Sequence, residues 1–272
     1  MQPKGETVAS VDEFARQQAI LLEIDSSGSV TVKDLSGRFS VSTVTIRKDL
    51  ESLERRSMLR RVRGGAVAAG TADEGAFEMR IRYSREAKEA IARQAEPLVR
   101  SGDVIALDAS TTCFYLAQEL LDLRNLVVIT NGMRTATLFM EQSNAMVLMP
   151  GGVLRRSAGS MVGPIGDVLA GRGRIDRGFF GVKGISVDHG MMENSIEEAD
   201  AKRYLATACD EIYGLFDSSK VGRFGLHSFA PTEKITGMFT DEGIGPDVVS
   251  EWALAGVPIH TVDVSTAPGS AR

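Results

Sequence analysis

The chain has 272 residues, 43% hydrophobic and 25% charged, with a formal net charge of −5. This length holds one large domain or two smaller ones, and the balance is that of a soluble globular protein rather than a disordered or fibrous one. The longest apolar runs, such as Ala145 to Met149, are strand-sized and exclude a membrane-spanning helix; two cysteines, Cys113 and Cys209, exclude a disulfide framework and fit a reducing cytoplasm.

The opening MQPKGETVASVDEF carries acids and has no apolar core, so it is expected to be a frayed tail and not a secretory signal. From Phe14 to Asp25 the pattern is helical, with Ile20, Leu21 and Ile24 on one side. Ser26-Ser27-Gly28 breaks it. Thr31 followed by Asp34 resembles a capping box, and Val32, Leu35 and Phe39 then recur at helical spacing. After a tight connection at Ser40-Val41, Ser42 can cap a third helix in which Ile46, Leu50 and Leu53 share a face. Thr43 lies in its first turn, and Thr45, Arg47, Lys48 and Arg55 project away from the apolar face. Between Ser42 and Ala66 stand seven Lys and Arg against three Asp and Glu. Local positive charge on an acidic chain marks a polyanion-binding module, although a solvated helix face gives a similar count.

Two short helices joined by a few residues make a helix-turn-helix whose second helix can enter a major groove. There Arg47 can bond guanine O6 and N7, Thr43 and Thr45 can touch a thymine methyl, Lys48 can neutralise phosphate, and Ser42 at the helix start belongs to the same DNA-facing set. In MLRRVRGGA, Leu59 and Val62 are expected to anchor a β-hairpin wing that brings Arg60, Arg61 and Arg63 to the DNA backbone or minor groove, with Gly64-Gly65 ending it. The stretch GSVTVKDLSGRFSVSTVTIRKDLESLERRSMLRRVRGGA resembles the winged helix-turn-helix of the DeoR family of bacterial transcriptional regulators. Two positions depart from that pattern: Ser57 stands where a glycine usually ends the recognition helix, and Arg63 replaces a common histidine.

RGGAVAAGTADEG, Arg63 to Gly75, is small and aperiodic and reads as a linker. The expected division is a DNA-binding domain at 14–66, a linker at 67–76 and an effector-sensing domain at 77–265.

Beyond Ser84, apolar runs at 104–108, 126–130, 145–149, 177–182, 212–217, 235–240 and 258–262 alternate with helical stretches near 85–100, 111–122, 132–142, 164–171, 195–209 and 246–255. Short unbroken apolar strands between helices predict a Rossmann-like, mostly parallel α/β sensor domain, with ligands beyond the C-terminal strand ends. Those ends are polar. Asp108, Ser110, Thr111 and Thr112 open a helix and suit a phosphate cradle. Asn131-Gly132 opens another. Gly151-Gly152 lets backbone approach a ligand. Lys183, Glu198, Lys202, Asp217 and Lys220 follow, carboxylates for hydroxyl groups and lysines for phosphate charge. Each also has a plainer reading: helix caps, a turn, and for Glu198 and Lys202 an i,i+4 surface pair. Cys113 near a helix start is more simply a buried small hydrophobe than a reactive thiol, and Trp252 a core residue. GRGRID, Gly171 to Asp176, lacks the third glycine of a dinucleotide fingerprint.

FEMRIRYSREAKEAIA, the Asp108–Thr112 loop, VITNG, MPGGVLRRSAGSMVG, EEADAKR and DSSKVG are similar to the DeoR-type sensor domain, itself similar to ribose-phosphate isomerases and glucosamine-phosphate deaminases. Ser110 stands where the family more often has glycine. The resemblance implies a phosphorylated sugar or related effector, with Ser110, Thr111, Thr112, Gly151, Gly152 and Lys220 on phosphate and Asp108, Asn131, Glu198 and Asp217 on the sugar. It implies a cytoplasmic homo-oligomeric repressor of a carbohydrate operon that binds operator DNA, uses no cofactor or metal and is not an enzyme. Two alternatives stand beside it: a sugar-phosphate isomerase or hydrolase with Asp108, Glu198 or Asp217 as general base, and an architectural DNA binder.

Overall fold

A computed structural model describes residues 13–27, 29–55, 59–68, 77–156, 158–165, 173–223 and 225–264. The opening tail, Gly28, Ser57, positions 69–76 of the expected linker and 166–171 of the expected helix lie outside the described residues. The chain divides into two compact units, Met1–Asp73 and Glu74–Arg272.

The first unit runs α1 (Glu13–Ser27), β1 (Ser29–Thr31), α2 (Val32–Phe39), α3 (Thr43–Arg55), β2 (Leu59–Val62) and β3 (Gly65–Ala68). The Thr31 hydroxyl accepts from the Asp34 amide at 3.1 Å and caps α2. The Ser42 hydroxyl accepts from the Thr45 amide at 3.0 Å at the start of α3. Ile20, Leu21 and Ile24 of α1 are buried with Leu35, Ile46, Leu50 and Leu53, so the periodic apolar faces converge on one small core. Beside it, Arg16 donates to Asp49 at 2.6 and 3.1 Å, a buried ion pair that ties α1 to α3. The three strands form an antiparallel sheet in the order β1-β3-β2. Leu59 anchors the wing, buried as expected; Val62 does not, being 41% exposed. A side chain at Gly65 would meet the Val30 carbonyl oxygen at 2.0 Å, so the close pairing of β1 with β3 needs glycine there. Val67 and Ala68, the first residues of the expected linker, pair in β3 with Arg60 and Leu59.

The second unit begins with α4 (Phe77–Arg80) and α5 (Arg85–Ala95), then β4 (Val104–Leu107), α6 (Thr111–Glu119), β5 (Val127–Thr130), α7 (Met133–Gln142), β6 (Met146–Leu148), β7 (Gly151–Arg155), β8 (Ser160–Ile165), β9 (Ile175–Phe180), β10 (Gly184–Ser186) and β11 (Gly190–Glu193). It continues with α8 (Ile196–Thr207), β12 (Cys209–Leu215), β13 (His227–Ala230), β14 (Gly237–Asp241), α9 (Pro246–Leu254) and β15 (Ile259–Val262). Seven parallel strands form the central sheet in the order β15-β14-β12-β9-β4-β5-β6. Each overlaps one of the seven stretches the sequence marked, with β9 and β12 beginning two and three residues earlier than expected.

Because successive strand residues face opposite ways, the sheet has two cores. Leu107, Val128, Phe179 and Leu215 pack with Ile91, Leu116 and Phe139 of α5, α6 and α7. Ala106, Ile129, Phe180 and Ile212 pack with Leu205 and Trp252 of α8 and α9. Two antiparallel pieces went unread in the sequence: the β7–β8 hairpin and the small sheet β10-β11-β13. The helix expected near 164–171 is corrected at its start, since 164 and 165 belong to β8. Among the described residues no helix is long and apolar enough to cross a membrane.

Candidate functional site

On the first unit, α3 and the wing carry the groups expected to face DNA. Ser42, Thr43, Arg47 and Lys48 are exposed, and Thr45 is half-buried. Ser42 and Thr45 are partly engaged with each other: their hydroxyls lie 2.9 Å apart, in addition to the capping bond. Arg60, Arg61 and Arg63 are all exposed on the wing. Arg61 lies 3.8 Å from Glu54, an exposed pair that restrains it weakly. One residue of this surface was passed over in the sequence: Val44, in the same turn as Thr43.

On the second unit the sheet reverses its strand order between β4 and β9, where a parallel sheet opens a crevice at its C-terminal edge. The structure fills the middle of that edge with a buried polar cluster. Asp108, fully buried, accepts from the Ser110 amide and the Gly181 amide at 2.9 Å each, and from Lys202 Nζ at 2.9 Å. Burial alone pushes a carboxyl group up; the ammonium of Lys202 and the Ser110 bonds outweigh it and hold Asp108 below its ordinary range. Lys202 also donates to the Gly181 carbonyl at 2.7 Å and to Glu193. Burial opposes its charge, but Asp108 and Glu193 prevail and keep it protonated. Lys202 is therefore bound to the chain's own carboxylates, which corrects its expected place on phosphate.

Nor is Lys202 a partner of Glu198. Glu198 is buried and takes Arg155 at 2.8 Å and the Ser160 hydroxyl, both from the β7–β8 hairpin. Asn131, at the end of β5, donates to Glu198 at 3.5 Å and to the Met161 carbonyl at 3.4 Å. Its Oδ1 is buried with no hydrogen-bond partner among the described residues. An orphan acceptor beside a carboxylate suits a hydroxyl-bearing ligand.

Ser110 caps α6, its hydroxyl accepting from the Cys113 amide at 3.2 Å, while Thr111 and Thr112 are buried in the first turn. The Cys113 thiol donates to the Phe179 carbonyl at 3.3 Å, and burial pushes it well above the ordinary thiol range, so it is not a nucleophile. Gly151 and Gly152 begin β7. A side chain at Gly152 would meet the Val162 carbonyl oxygen at 2.4 Å. That glycine serves hairpin pairing.

Lysines gather beside β12. Asp217 closes that strand and caps the turn Ser218–Lys220 through the Ser219 amide at 3.2 Å. Lys220 is half-buried; burial, with Lys183 next in weight and Arg223 and Lys88 also near, lowers it to about 8 against the help of Asp217. Lys88, in the first turns of α5, was missed in the sequence. It is 5% exposed and donates to the Arg80 and Tyr83 carbonyls at 2.7 and 2.6 Å. Burial lowers it to about 8 as well, with Asp217 opposing and Arg80 and Lys183 adding to the effect. Its spacing carried a signal: Lys88 falls in phase with Ile91, Ala92 and Ala95, placing a lysine on a buried helix face. Several cations around one carboxylate leave local positive charge at the strand ends, the condition for holding an anion.

Comparisons with known proteins bear on both units. Residues 16–72 match the family described as "DeoR-like helix-turn-helix domain", and residues 84–242 match "DeoR C terminal sensor domain". The HTH-type transcriptional regulator GolR of Listeria innocua serovar 6a is 34% identical over 92% of this chain and 99% of its own length. The putative aga operon transcriptional repressor of Escherichia coli O157:H7 is 32% identical over 91% of this chain and 93% of its own. The glycerol-3-phosphate regulon repressor of Escherichia coli strain K12 is 28% identical over 83% of this chain and 90% of its own.

Proposed function

The chain belongs to the DeoR family of DNA-binding transcriptional regulators, and from that premise we propose a cytoplasmic repressor of a carbohydrate-metabolism operon that a phosphorylated metabolite releases from DNA. Its relatives are named as regulators, and the chain is a regulator rather than an enzyme.

One observation carries the reading: a helix that exposes Arg47 and Lys48 and a wing that exposes Arg60, Arg61 and Arg63 share a chain with a lysine cluster at the ends of parallel strands. In it, Arg47 and Lys48, with Thr43, meet the major groove, and Arg60, Arg61 and Arg63 meet the flanking backbone. In the sensor, Lys220 and Lys183, with the α6 start at Ser110–Thr112, hold the effector's phosphate. Asn131, Glu198 and Asp217 take its hydroxyls. Two or four copies present paired heads to repeated half-sites. Effector binding favours a conformation in which the heads no longer match that spacing. The ligand acts only through its differential affinity for the two conformations, typically about 1–3 kcal/mol.

The test uses the purified full chain and its own promoter fragment. Operator binding is followed by fluorescence anisotropy while phosphorylated sugars and their unphosphorylated parents are added. Release by a phosphorylated compound and not by its parent is the expected result. Turnover at ordinary enzyme rates with no change in DNA binding would reverse the reading.

A further inference from the structure

Helix α3 carries one large apolar side chain where no core can receive it. Val44 is 58% exposed, while Ile46, Leu50 and Leu53 of the same helix are at most 1% exposed. At roughly 100° per residue, Val44 stands about 180° around the helix from Leu53. It therefore lies near the middle of the outward face, with Arg47 and Lys48, both exposed, one turn further along at i+3 and i+4. A lone exposed valine is ordinary on a protein surface; this one is flanked by the cations of the face assigned to DNA. Of its neighbours in the first turn, Ser42 and Thr45 have their hydroxyls turned to each other and to the α3 cap.

The floor of a DNA major groove is polar except at one group. Every base edge there offers hydrogen-bond donors or acceptors, and only thymine adds a methyl. An isopropyl group at the centre of a reading face has that single apolar partner. We propose that Val44 is a specificity-determining residue that packs on a thymine C5-methyl in each operator half-site. The helix rise also bears on the neighbourhood. Three residues of helix advance about 4.5 Å, against about 3.4 Å between base pairs. The thymine read by Val44 is therefore expected close to the guanine read by Arg47, since the two spacings are similar. This inference rests on α3 being the DNA-reading helix.

The experiment enriches binding sites from a random duplex pool with the full chain, as wild type and as Val44→Ala. An exposed first-turn substitution to alanine leaves the core untouched, and an unchanged melting temperature verifies it. The wild type is expected to select a thymine beside a guanine in each half-site; Val44→Ala keeps the guanine and loses the thymine. In the selected site that dT is then replaced by deoxyuridine, which removes only the methyl. The wild type is expected to weaken roughly 4- to 10-fold per half-site, the scale of one buried methyl and its packing, and Val44→Ala to be indifferent. Retention of the thymine by Val44→Ala, or an equal loss in both proteins on deoxyuridine, overturns the proposal while leaving DNA binding intact. If neither protein enriches any sequence, the DNA-reading role of α3 falls, and Val44 with it.

Discussion

Lys220 is half-buried among Lys183, Arg223 and Lys88, with Asp217 beside it. Burial penalises the charge of such a lysine, and Asp217 offsets that penalty only in part. Lys220→Ala is expected to weaken the response to a phosphorylated effector by about 10- to 100-fold, the range for a lost charge-assisted bond. Operator affinity in the absence of effector should not change; parallel loss of both would make the residue structural. The same cluster gives a pH signature. Lys220 and Lys88 sit at about 8 against an ordinary 10.5. Effector affinity should therefore fall between pH 7 and pH 9 as these ammonium groups discharge. Stability moves the other way. From about pH 8 to 10.5 the native state binds fewer protons than the unfolded chain, so these two groups make stability rise with pH. Thermal melts with and without effector at both pH values resolve the opposed slopes. Lys202 differs because its partners are fixed. Lys202→Met strands Asp108 and Glu193 in the interior and is expected to cost about 3–5 kcal/mol in denaturant melts.

Helix α3 and the wing are the elements on which DNA binding rests in the proposed function. Arg47→Ala is expected to abolish specific operator binding, read as anisotropy, with the sensor's melting transition unmoved; unchanged affinity would remove α3 from the interface. The helix itself was legible in the sequence. Ile46, Leu50 and Leu53 recur at steps of four and three, and a helix cannot hide that period. The central strands of the large sheet were legible for a related reason: covered on both faces, β4 reads VIAL and β5 VVIT, short runs with no charged residue. The β7–β8 hairpin was not, because Val153 and Leu154 are exposed and its pairing shifts register between Gly151 and Val153, so no alternation survives. Buried ion pairs were equally opaque. Asp49 reads as a surface acid on α3 until Arg16, 33 residues away, is folded against it. The site was half legible. Strand-end position marked Asp108, Asn131 and Asp217, but whether a polar group there meets a ligand or a neighbour depends on partners distant in sequence, as Lys202 demonstrates.

At the scale of the whole molecule, the sensor's sheet is a partition. Phe179 and Phe180 are consecutive in β9, yet one belongs to the core under α5, α6 and α7 and the other to the core under α8 and α9. Phe179→Leu and Phe180→Leu are each expected to destabilise by about 1–3 kcal/mol, and the double variant by their sum within about 0.5 kcal/mol, measured by urea unfolding. A larger coupling would mean that the two layers share one packing problem. Insulation of this kind has an evolutionary consequence. Lys88 and Ser110 hang from one layer, Glu198 and Lys202 from the other. A lineage can rework the lining on a single side, drifting toward a new metabolite, while the opposite side keeps its old shape and the scaffold never passes through a state in which both must be rebuilt together.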